Sequence, residues 1–209
     1  MSELSTEWTI CTNVLAYLDA VPKVLPGDKN MQKLPNAQLT HVGVYVRDLD
    51  GMIDFYVQTL GMVVSDRGDH PLGGKIAFLT RTTQEHHQLV LASGLPAEEK
   101  FNRINQISFR VATLDDLRTF DGILRERGIA VLRTANHGNA WSIYFFDPEG
   151  NKVEIYTPSD WYVAQPFGVP VDFEKKDEVI FAETQELIRD NATRTSRLAW
   201  EEKMGKRLG

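Results

Sequence analysis

Three polar side chains with the chemistry of metal ligands stand in apolar, strand-like segments. His41 begins the segment HVGVYV, Gln106 begins QISFRV, and Glu154 lies inside KVEIYTP. Successive side chains of a strand point to opposite faces, so Glu154 is predicted to face a cavity while Val153 and Ile155 face the other side. An inward carboxylate is costly to bury without a compensating cation. This pattern predicts a metal site that includes Glu154.

The segments around His41 and Gln106 belong to an internal repeat. When these two residues are aligned without gaps, similar residues coincide at Val42/Ile107, Val44/Phe109, Val46/Val111, Leu49/Leu114, Asp50/Asp115 and Phe55/Phe120. Each copy is predicted as a strand, a helix, a Gly turn and further strands, which end with HQLVLAS in the first copy and KVEIYTP in the second. The alignment predicts His86 and His87 on the last strand of the first copy, within one residue of the position equivalent to Glu154.

The repeat predicts an α+β fold in which two βαβββ units form an open, cupped β-barrel around a metal site. The predicted parts are an N-terminal extension (1–38), the module (39–158, with repeats at about 39–95 and 104–158) and a C-terminal helical arm (159–209). Apolar residues at helical spacing predict two helices in the arm, which lie over the module or over a partner subunit. Asp177 is predicted to cap the first of them.

Composition and charge narrow the class of protein. The 209 residues are 42% hydrophobic and 25% charged, as in an ordinary soluble globular protein. A formal net charge of -6 argues against a nucleic-acid partner, because phosphate binding needs a basic face. Cys11 is the single cysteine, which excludes a disulfide within the chain. The sequence has no recognisable signal peptide and no apolar run of transmembrane length, so we expect a cytoplasmic protein without a membrane partner.

The repeat also carries a family resemblance. LTHVGVYVRDLDGMIDFYVQTLGM together with NKVEIYTP resembles the vicinal oxygen chelate superfamily, which includes glyoxalases, bleomycin-resistance proteins and type I extradiol dioxygenases. The resemblance covers about residues 39–158 and neither arm. Within it, EHHQLVLAS and HGNAWSIYFFDPEGNKVEIY are most similar to extradiol ring-cleavage enzymes such as biphenyl-2,3-diol dioxygenase and catechol 2,3-dioxygenase. Those enzymes carry two modules, and this chain would be a single-module member.

The resemblance implies a metal site formed by His41, Gln106 and Glu154. The dioxygenases have histidine at the position of Gln106, so this chain departs from the usual set of two histidines and one carboxylate. A glutamine oxygen is a harder and weaker donor than imidazole, although glyoxalases of the superfamily use glutamine at equivalent positions. The expected ion is Fe(II), with Mn(II) or another divalent ion as the alternative.

The resemblance also implies residues that act on the substrate. His87 matches the histidine that serves as acid and base, while His137 and Tyr144 match a second histidine and a tyrosine that hydrogen-bonds the substrate hydroxylate. The predicted substrate-binding residues are Phe78, Trp141 and Asn139. The implied reaction is metal-dependent extradiol cleavage of a catechol-type ring by dioxygen, in a homodimer.

Two other functions remain open from the sequence. One is a metal-dependent isomerase or lyase of the glyoxalase type, and the other is a metal-free module that sequesters a flat aromatic compound. Each candidate residue also has an ordinary structural interpretation. His41 could be a satisfied core histidine, Gln106 a hydrogen-bonding core glutamine, and one residue of the His86–His87 pair is expected to face solvent.

Overall fold

The computed structural model describes residues 37–71, 73–99 and 104–208. Almost all of the predicted N-terminal extension lies outside these residues. The chain divides into two compact units, one within Met1–Lys100 and the other within Phe101–Gly209. Among the described residues, every helix is too short or too polar to cross a membrane.

The first unit is a βαβββ unit with one four-stranded sheet. Its elements are β1 (Val42–Val46), α1 (Leu49–Leu60), β2 (Val63–Asp69), β3 (Lys75–Thr80) and β4 (Leu89–Ser93). The strand order is β1-β4-β3-β2, with β1 parallel to β4 and the other pairs antiparallel. Helix α1 begins where the Asp48 carboxylate accepts a hydrogen bond from the Gly51 N–H, and it ends at Gly61 in the left-handed conformation.

The second unit repeats this arrangement. Its elements are β5 (Ile107–Arg110), α2 (Leu114–Glu126), β6 (Val131–Asn136), β7 (Ala140–Phe146) and β8 (Lys152–Pro158), in the strand order β5-β8-β7-β6. A capping box between Thr113 and Asp116 starts α2. The predicted α+β class and both βαβββ copies are therefore confirmed. Each four-stranded sheet is open and does not close into a barrel by itself.

The strand registers correct one predicted equivalence between the copies. The parallel pair Val42–Leu89 in the first sheet corresponds to the pair Ile107–Val153 in the second. Glu154 therefore corresponds to Val90, and the prediction that placed its counterpart at His86 or His87 is wrong. These histidines lie in the loop before β4. That loop is longer than the turn DPEGN between β7 and β8, so the last strand of the first copy begins only after the two histidines.

The C-terminal arm packs within the second unit. It comprises β9 (Trp161–Tyr162), α3 (Asp177–Leu187), β10 (Thr195–Ser196) and α4 (Arg197–Leu208). The two predicted helices are present, but the N-cap of α3 is Lys176, so the prediction of Asp177 as the cap is wrong. Asp177 is the first helical residue and forms an ion pair with Arg118 of α2 at 2.6 Å. The positive end of the helix dipole also stabilises a carboxylate at this position.

Thr184 joins α3 to the turn between β6 and β7. Its side chain is fully buried, and its hydroxyl oxygen accepts hydrogen bonds from Asn136 Nδ2 at 2.9 Å and from Trp141 Nε1 at 3.0 Å. The same hydroxyl donates to the Ile180 carbonyl at 2.7 Å. One small side chain therefore satisfies two buried donors, which are costly to leave without partners.

Replacing Thr184 with valine tests this packing. The change keeps the shape of the side chain but leaves Asn136 Nδ2 and Trp141 Nε1 without an acceptor. We expect the free energy of unfolding to fall by about 2–6 kcal/mol, because two buried donors lose their acceptor and each unsatisfied donor costs about 1–3 kcal/mol. Denaturant unfolding measures the loss. Thr119→Val on the exposed face of α2 is the matched control, with an expected change within about 0.5 kcal/mol. Equal effects in the two variants would contradict the assigned contacts.

Candidate active site

A row of polar side chains crosses the second sheet. The register pairs Arg133 of β6 with Tyr144 of β7, Tyr144 with Glu154 of β8, and Glu154 with Ser108 of β5. Directly paired residues lie on the same face of a sheet, so these four side chains share one face. The guanidinium carbon of Arg133 lies 4.4 Å from the centre of the Tyr144 ring, which places a cation on this face.

Glu154 is the centre of the row and is only 7% exposed. Its Oε1 accepts a hydrogen bond from the Tyr144 hydroxyl at 2.5 Å. Its Oε2 accepts from Gln106 Nε2 at 2.9 Å and from the Ser108 hydroxyl at 2.5 Å. Three neutral donors therefore compensate the buried carboxylate. Gln106 is one of them, so in this structure it acts as a hydrogen-bonding residue.

Tyr144 is held in its protonated form. Burial of its side chain raises the pKa of the phenol from 10.0 to about 12, and the hydrogen bond to Glu154 and the charge of that carboxylate add to the shift. Ser142 and the nearby Arg133 oppose it. A neutral phenol in this position can donate a hydrogen bond across the whole physiological pH range.

His137 extends the hydrogen-bonded network of Glu154 beyond Tyr144. Its Nε2 lies 2.9 Å from the Tyr144 hydroxyl, and its Nδ1 lies 2.7 Å from the carbonyl oxygen of Phe167. A carbonyl only accepts hydrogen bonds, so Nδ1 carries a proton. The single hydroxyl proton of Tyr144 can bond either Glu154 or a neutral His137. Both contacts are hydrogen bonds only when one further proton resides on His137 or Glu154, so the three groups can share and pass a proton.

The equivalent row of the first sheet has different chemistry. It comprises Asp66 of β2, Phe78 of β3, Val90 of β4 and Gly43 of β1. Phe78 therefore occupies the position that Tyr144 has in the second sheet. The irregularities in β2 and β6 also fall at corresponding places, between Val64 and Asp66 and just before Arg133. The two copies thus share a backbone but differ in the side chains of this row.

Four aromatic rings of the first unit form a cluster that includes Phe78 of this row. The His87 ring centre lies 4.4 Å from that of His41 and 5.0 Å from that of Phe78, and the His86 ring lies 5.9 Å from Phe78. The structure thus brings together three predicted site residues, His41, Phe78 and His87. His41 is exposed, and its Nδ1 lies 3.1 Å from the Thr40 hydroxyl, which leaves its Nε2 available for another contact.

His86 and Asp66 determine the orientation of His87. His86 Nε2 lies 2.8 Å from the Asp66 carboxylate, and His86 Nδ1 lies 2.9 Å from His87 Nδ1. A carboxylate accepts, so Nε2 of a neutral His86 carries the proton and its Nδ1 is an acceptor. His87 then donates from Nδ1, and its Nε2 keeps a free lone pair.

The electrostatics of the first unit keep His87 neutral. Burial lowers the pKa of its imidazole, and the neighbouring His41 and His86 lower it further, while Glu85 acts in the opposite direction. A neutral imidazole with a free Nε2 can accept a proton, which is the property that a general base requires.

Two predicted substrate-binding residues lie elsewhere. Trp141 is 2% exposed, alternates with Tyr144 along β7, and packs edge-on against Phe181 of α3 with ring centres 5.0 Å apart. Trp141 therefore lies on the helix-facing side of the sheet, opposite the face that carries Tyr144. Asn139 lies in the turn before β7, where its side-chain oxygen accepts a hydrogen bond from Gln165 Nε2 at 3.3 Å.

Glu154 and Gln106 fit a hard divalent cation. Their side-chain ends are 2.9 Å apart, and both contain oxygen donors of the kind that such ions prefer. Gln106 directs its amide nitrogen to the carboxylate, so ligation requires the amide to turn its oxygen round. Within the part of the chain that the structure describes, no three His, Cys, Asp or Glu side chains gather at one metal-binding point. His41 belongs to the first unit, and its assignment as a ligand rests on the sequence repeat.

Sequence reasoning missed three contributors to the site. Ser108 is two residues beyond Gln106, and the strand periodicity that was applied to Glu154 would have placed both on one face. The partnership of Asp66 with His86 depends on the loop before β4 folding back to β2, and no local pattern indicates it. The Phe167 carbonyl is a backbone group, which sequence patterns do not identify.

Comparison with known proteins places the module in a family. Residues 38–155 match the family model described as Glyoxalase/Bleomycin resistance protein/Dioxygenase superfamily. The solved structure of a glyoxylase/bleomycin resistance protein/dioxygenase domain from Frankia sp. EAN1pec is similar, with a TM-score of 0.52 at 21% identity, over 60% of this chain and 100% of that one. At this identity the likeness concerns the fold alone.

Two curated relatives are similar in sequence to part of this chain. The chain is 32% identical over 123 residues to biphenyl-2,3-diol 1,2-dioxygenase 3 of Rhodococcus globerulus, over 56% of this chain and 62% of the relative. It is 26% identical over 137 residues to the metapyrocatechase of Pseudomonas sp. (strain CF600), over 64% of this chain and 43% of the relative. The matches thus span less than two thirds of either relative.

An alkaline titration of the metal-free protein tests the environment of Tyr144. Absorbance at 295 nm in wild type minus Tyr144→Phe should show one phenol titrating near pH 12. Because the pKa is raised in the fold, the stabilising effect of Tyr144 is complete below pH 10 and is lost as the pH rises towards 12. Glu154→Gln should move the midpoint towards 10, since it removes the charge that opposes ionisation. A midpoint near 10 in the wild type would exclude the buried hydrogen bond.

Proposed function

The chain belongs to the glyoxalase/bleomycin resistance protein/dioxygenase superfamily, and on this basis we propose that it cleaves a catechol-type ring beside its two hydroxyls. Both atoms of dioxygen enter the product, so the reaction consumes no separate reductant. The names of two curated relatives, a biphenyl-2,3-diol dioxygenase and a metapyrocatechase, support this choice within the superfamily.

The observation that carries the proposal is the array Glu154–Tyr144–His137. A buried carboxylate, a phenol held neutral and an imidazole are joined by contacts of 2.5 and 2.9 Å. Groups that can hold and pass a proton are what the handling of two catechol hydroxyls requires. A module that only sequesters an aromatic compound does not need such an array.

The residues proposed to hold a divalent ion are Glu154 and Gln106, with His41 as the third ligand from the repeat. A bound ion supplies a Lewis acid that lowers the pKa of a catechol hydroxyl and a centre at which dioxygen reacts. Fe(II) is the ion we propose, and the oxygen of Gln106 makes Mn(II) or another oxygen-preferring ion the alternative.

His87 is proposed as the general acid and base. Its Nε2 lone pair accepts the second catechol proton, and the chain His87–His86–Asp66 holds the ring with Nδ1 protonated. After ring opening the same Nε2 returns a proton to a product oxygen. The burial that lowers the pKa of His87 leaves this atom unprotonated near neutral pH.

Tyr144 and Phe78 are proposed to hold the substrate. The Tyr144 hydroxyl donates a hydrogen bond to the ionised catechol oxygen without adding charge, and His137 supplies or removes a proton at that hydroxyl. The half-buried Phe78, next to His87, offers an apolar surface for an aromatic ring and excludes water.

A glyoxalase-type isomerase or lyase is the second candidate. The observation that favours it is Gln106, an amide at a position where the dioxygenases have histidine and where glyoxalases use glutamine. Such a reaction uses the same ligands and a base but takes up no dioxygen. The homodimer and the absence of nucleic-acid and membrane partners stay predictions from the sequence.

Oxygen uptake tests the reaction. Protein reconstituted with Fe(II) under anaerobic conditions is given catechol, methylcatechols and biphenyl-2,3-diol, followed by air. We expect oxygen consumption and a yellow product, because extradiol cleavage yields a conjugated hydroxy-muconic compound. His87→Ala should lower kcat by about a hundredfold or more, the usual contribution of a positioned acid–base group, with KM little changed.

His70→Ala, in the turn before β3, is the matched control for the His87 variant and should keep the wild-type rate. Bound iron without oxygen uptake across the panel would select the isomerase or lyase. Failure to bind any divalent ion would select the metal-free binding module. Unchanged turnover in His87→Ala would retain the reaction class and remove His87 from its mechanism.

Gln106→His tests the metal ligands. Imidazole suits iron better than an amide oxygen, so Fe(II) should bind about tenfold more tightly or better, which corresponds to about 1.4 kcal/mol. Equilibrium dialysis with iron analysis measures the affinity. The control is Asn105→His, which introduces the same side chain at the neighbouring position before β5. Equal affinities in the two variants would show that residue 106 is not a ligand.

A further inference from the structure

A segment that follows the family-matched region runs beside the turn that carries His137. This segment, Gln165–Val169, lies beyond residue 155, where the family match ends. The Asn136 N–H donates to the Val169 carbonyl at 2.7 Å, and the Val169 N–H donates to the Asn136 carbonyl at 3.0 Å. The two reciprocal hydrogen bonds fix the segment against the residue just before His137.

The segment contacts both the backbone and the ring of His137. Gln165 Nε2 donates to the His137 carbonyl at 2.9 Å, and His137 Nδ1 donates to the Phe167 carbonyl at 2.7 Å. Gly168 lies close to the Nδ1 and Cε1 atoms of the ring. A Cβ atom at position 168 would stand 2.9 Å from Nδ1 and 3.2 Å from Cε1. A residue with a side chain at this position would force the imidazole to move.

Residues of the C-terminal arm also pack directly against the turn that carries His137. A Cβ at Gly138 would stand 2.7 Å from Val163 Cγ2 and 3.1 Å from Ile188 Cγ2, so the turn lies directly against the arm. Thr184 of α3 binds the Asn136 side chain, as described above. The position of His137 therefore depends on several contacts that come from beyond the module.

We propose that the segment Gln165–Val169 is a positioning part of the active site. Its Phe167 carbonyl keeps Nδ1 of His137 protonated, which directs Nε2 to the hydroxyl of Tyr144. Gly168 allows the ring to approach the segment closely enough for this bond. The consequence for catalysis rests on the proposed function, whereas the protonation of Nδ1 does not.

The main test is Gly168→Ala in the full-length chain. The new Cβ removes no hydrogen-bonding group, so its effect comes from displacing the ring. Long-range ¹H–¹⁵N spectra report which ring nitrogens carry protons, and His137→Gln identifies the signal among the five histidines. We expect a protonated Nδ1 in the wild type and a changed His137 signal in Gly168→Ala. We also expect kcat to fall about tenfold to a hundredfold with KM little changed, since small misplacements of a positioned group are costly.

Gly205→Ala in α4 is the matched control, because a Cβ there meets nothing within 4 Å. It should leave the spectrum and the rate unchanged. An unprotonated Nδ1 in the wild type would overturn the proposal even if Gly168→Ala failed to fold. A folded Gly168→Ala with the wild-type His137 signal and the wild-type rate would overturn it too. If the wild type shows the expected signal but no oxygen uptake, the positioning of His137 stands and the proposed reaction falls.

Discussion

The burial of the Glu154 carboxylate is the constraint on which the second unit depends. A carboxylate that is 7% exposed must be compensated, since the loss of its hydration is expensive. Tyr144, Gln106 and Ser108 provide this compensation from three strands, so the register of β5, β7 and β8 must be correct for all of them to reach one residue. The same donors hold in place a group that a divalent ion can use, and an ion would replace some of these hydrogen bonds with its own charge.

The two copies of the repeat show how one backbone supports two kinds of chemistry. In the second sheet the row from Arg133 to Ser108 is polar, whereas Phe78 and Val90 make the middle of the first row apolar. The first copy instead places two histidines in the loop before β4, where His87 is held through His86 by Asp66. A loop tolerates changes in length, so this is where the copies diverged furthest.

The C-terminal arm completes the second unit. Thr184 satisfies two buried donors near the β6–β7 turn, and the Phe167 carbonyl binds His137. Strand alternation places Trp141 opposite the Tyr144 face, and its indole N–H has its partner on α3. An aromatic residue in the middle of a strand is equally consistent with a pocket wall and with a helix interface, and only its partner decides between them.

The sequence by itself determined the repeat, the βαβββ order, the two helices of the arm and the strand that carries Glu154. These features follow from local periodicity and capping, which depend on residues close together in the chain. Tertiary structure alone decided the register that makes Val90 the counterpart of Glu154, the packing of Trp141 on α3, and the start of the first helix of the arm after Lys176. It also decided the partners of His87 and His137, because Asp66 and Phe167 are distant in sequence and one of them contributes only a backbone carbonyl. Hydrogen bonds of this kind form when separate segments meet, so no pattern within a single segment can indicate them.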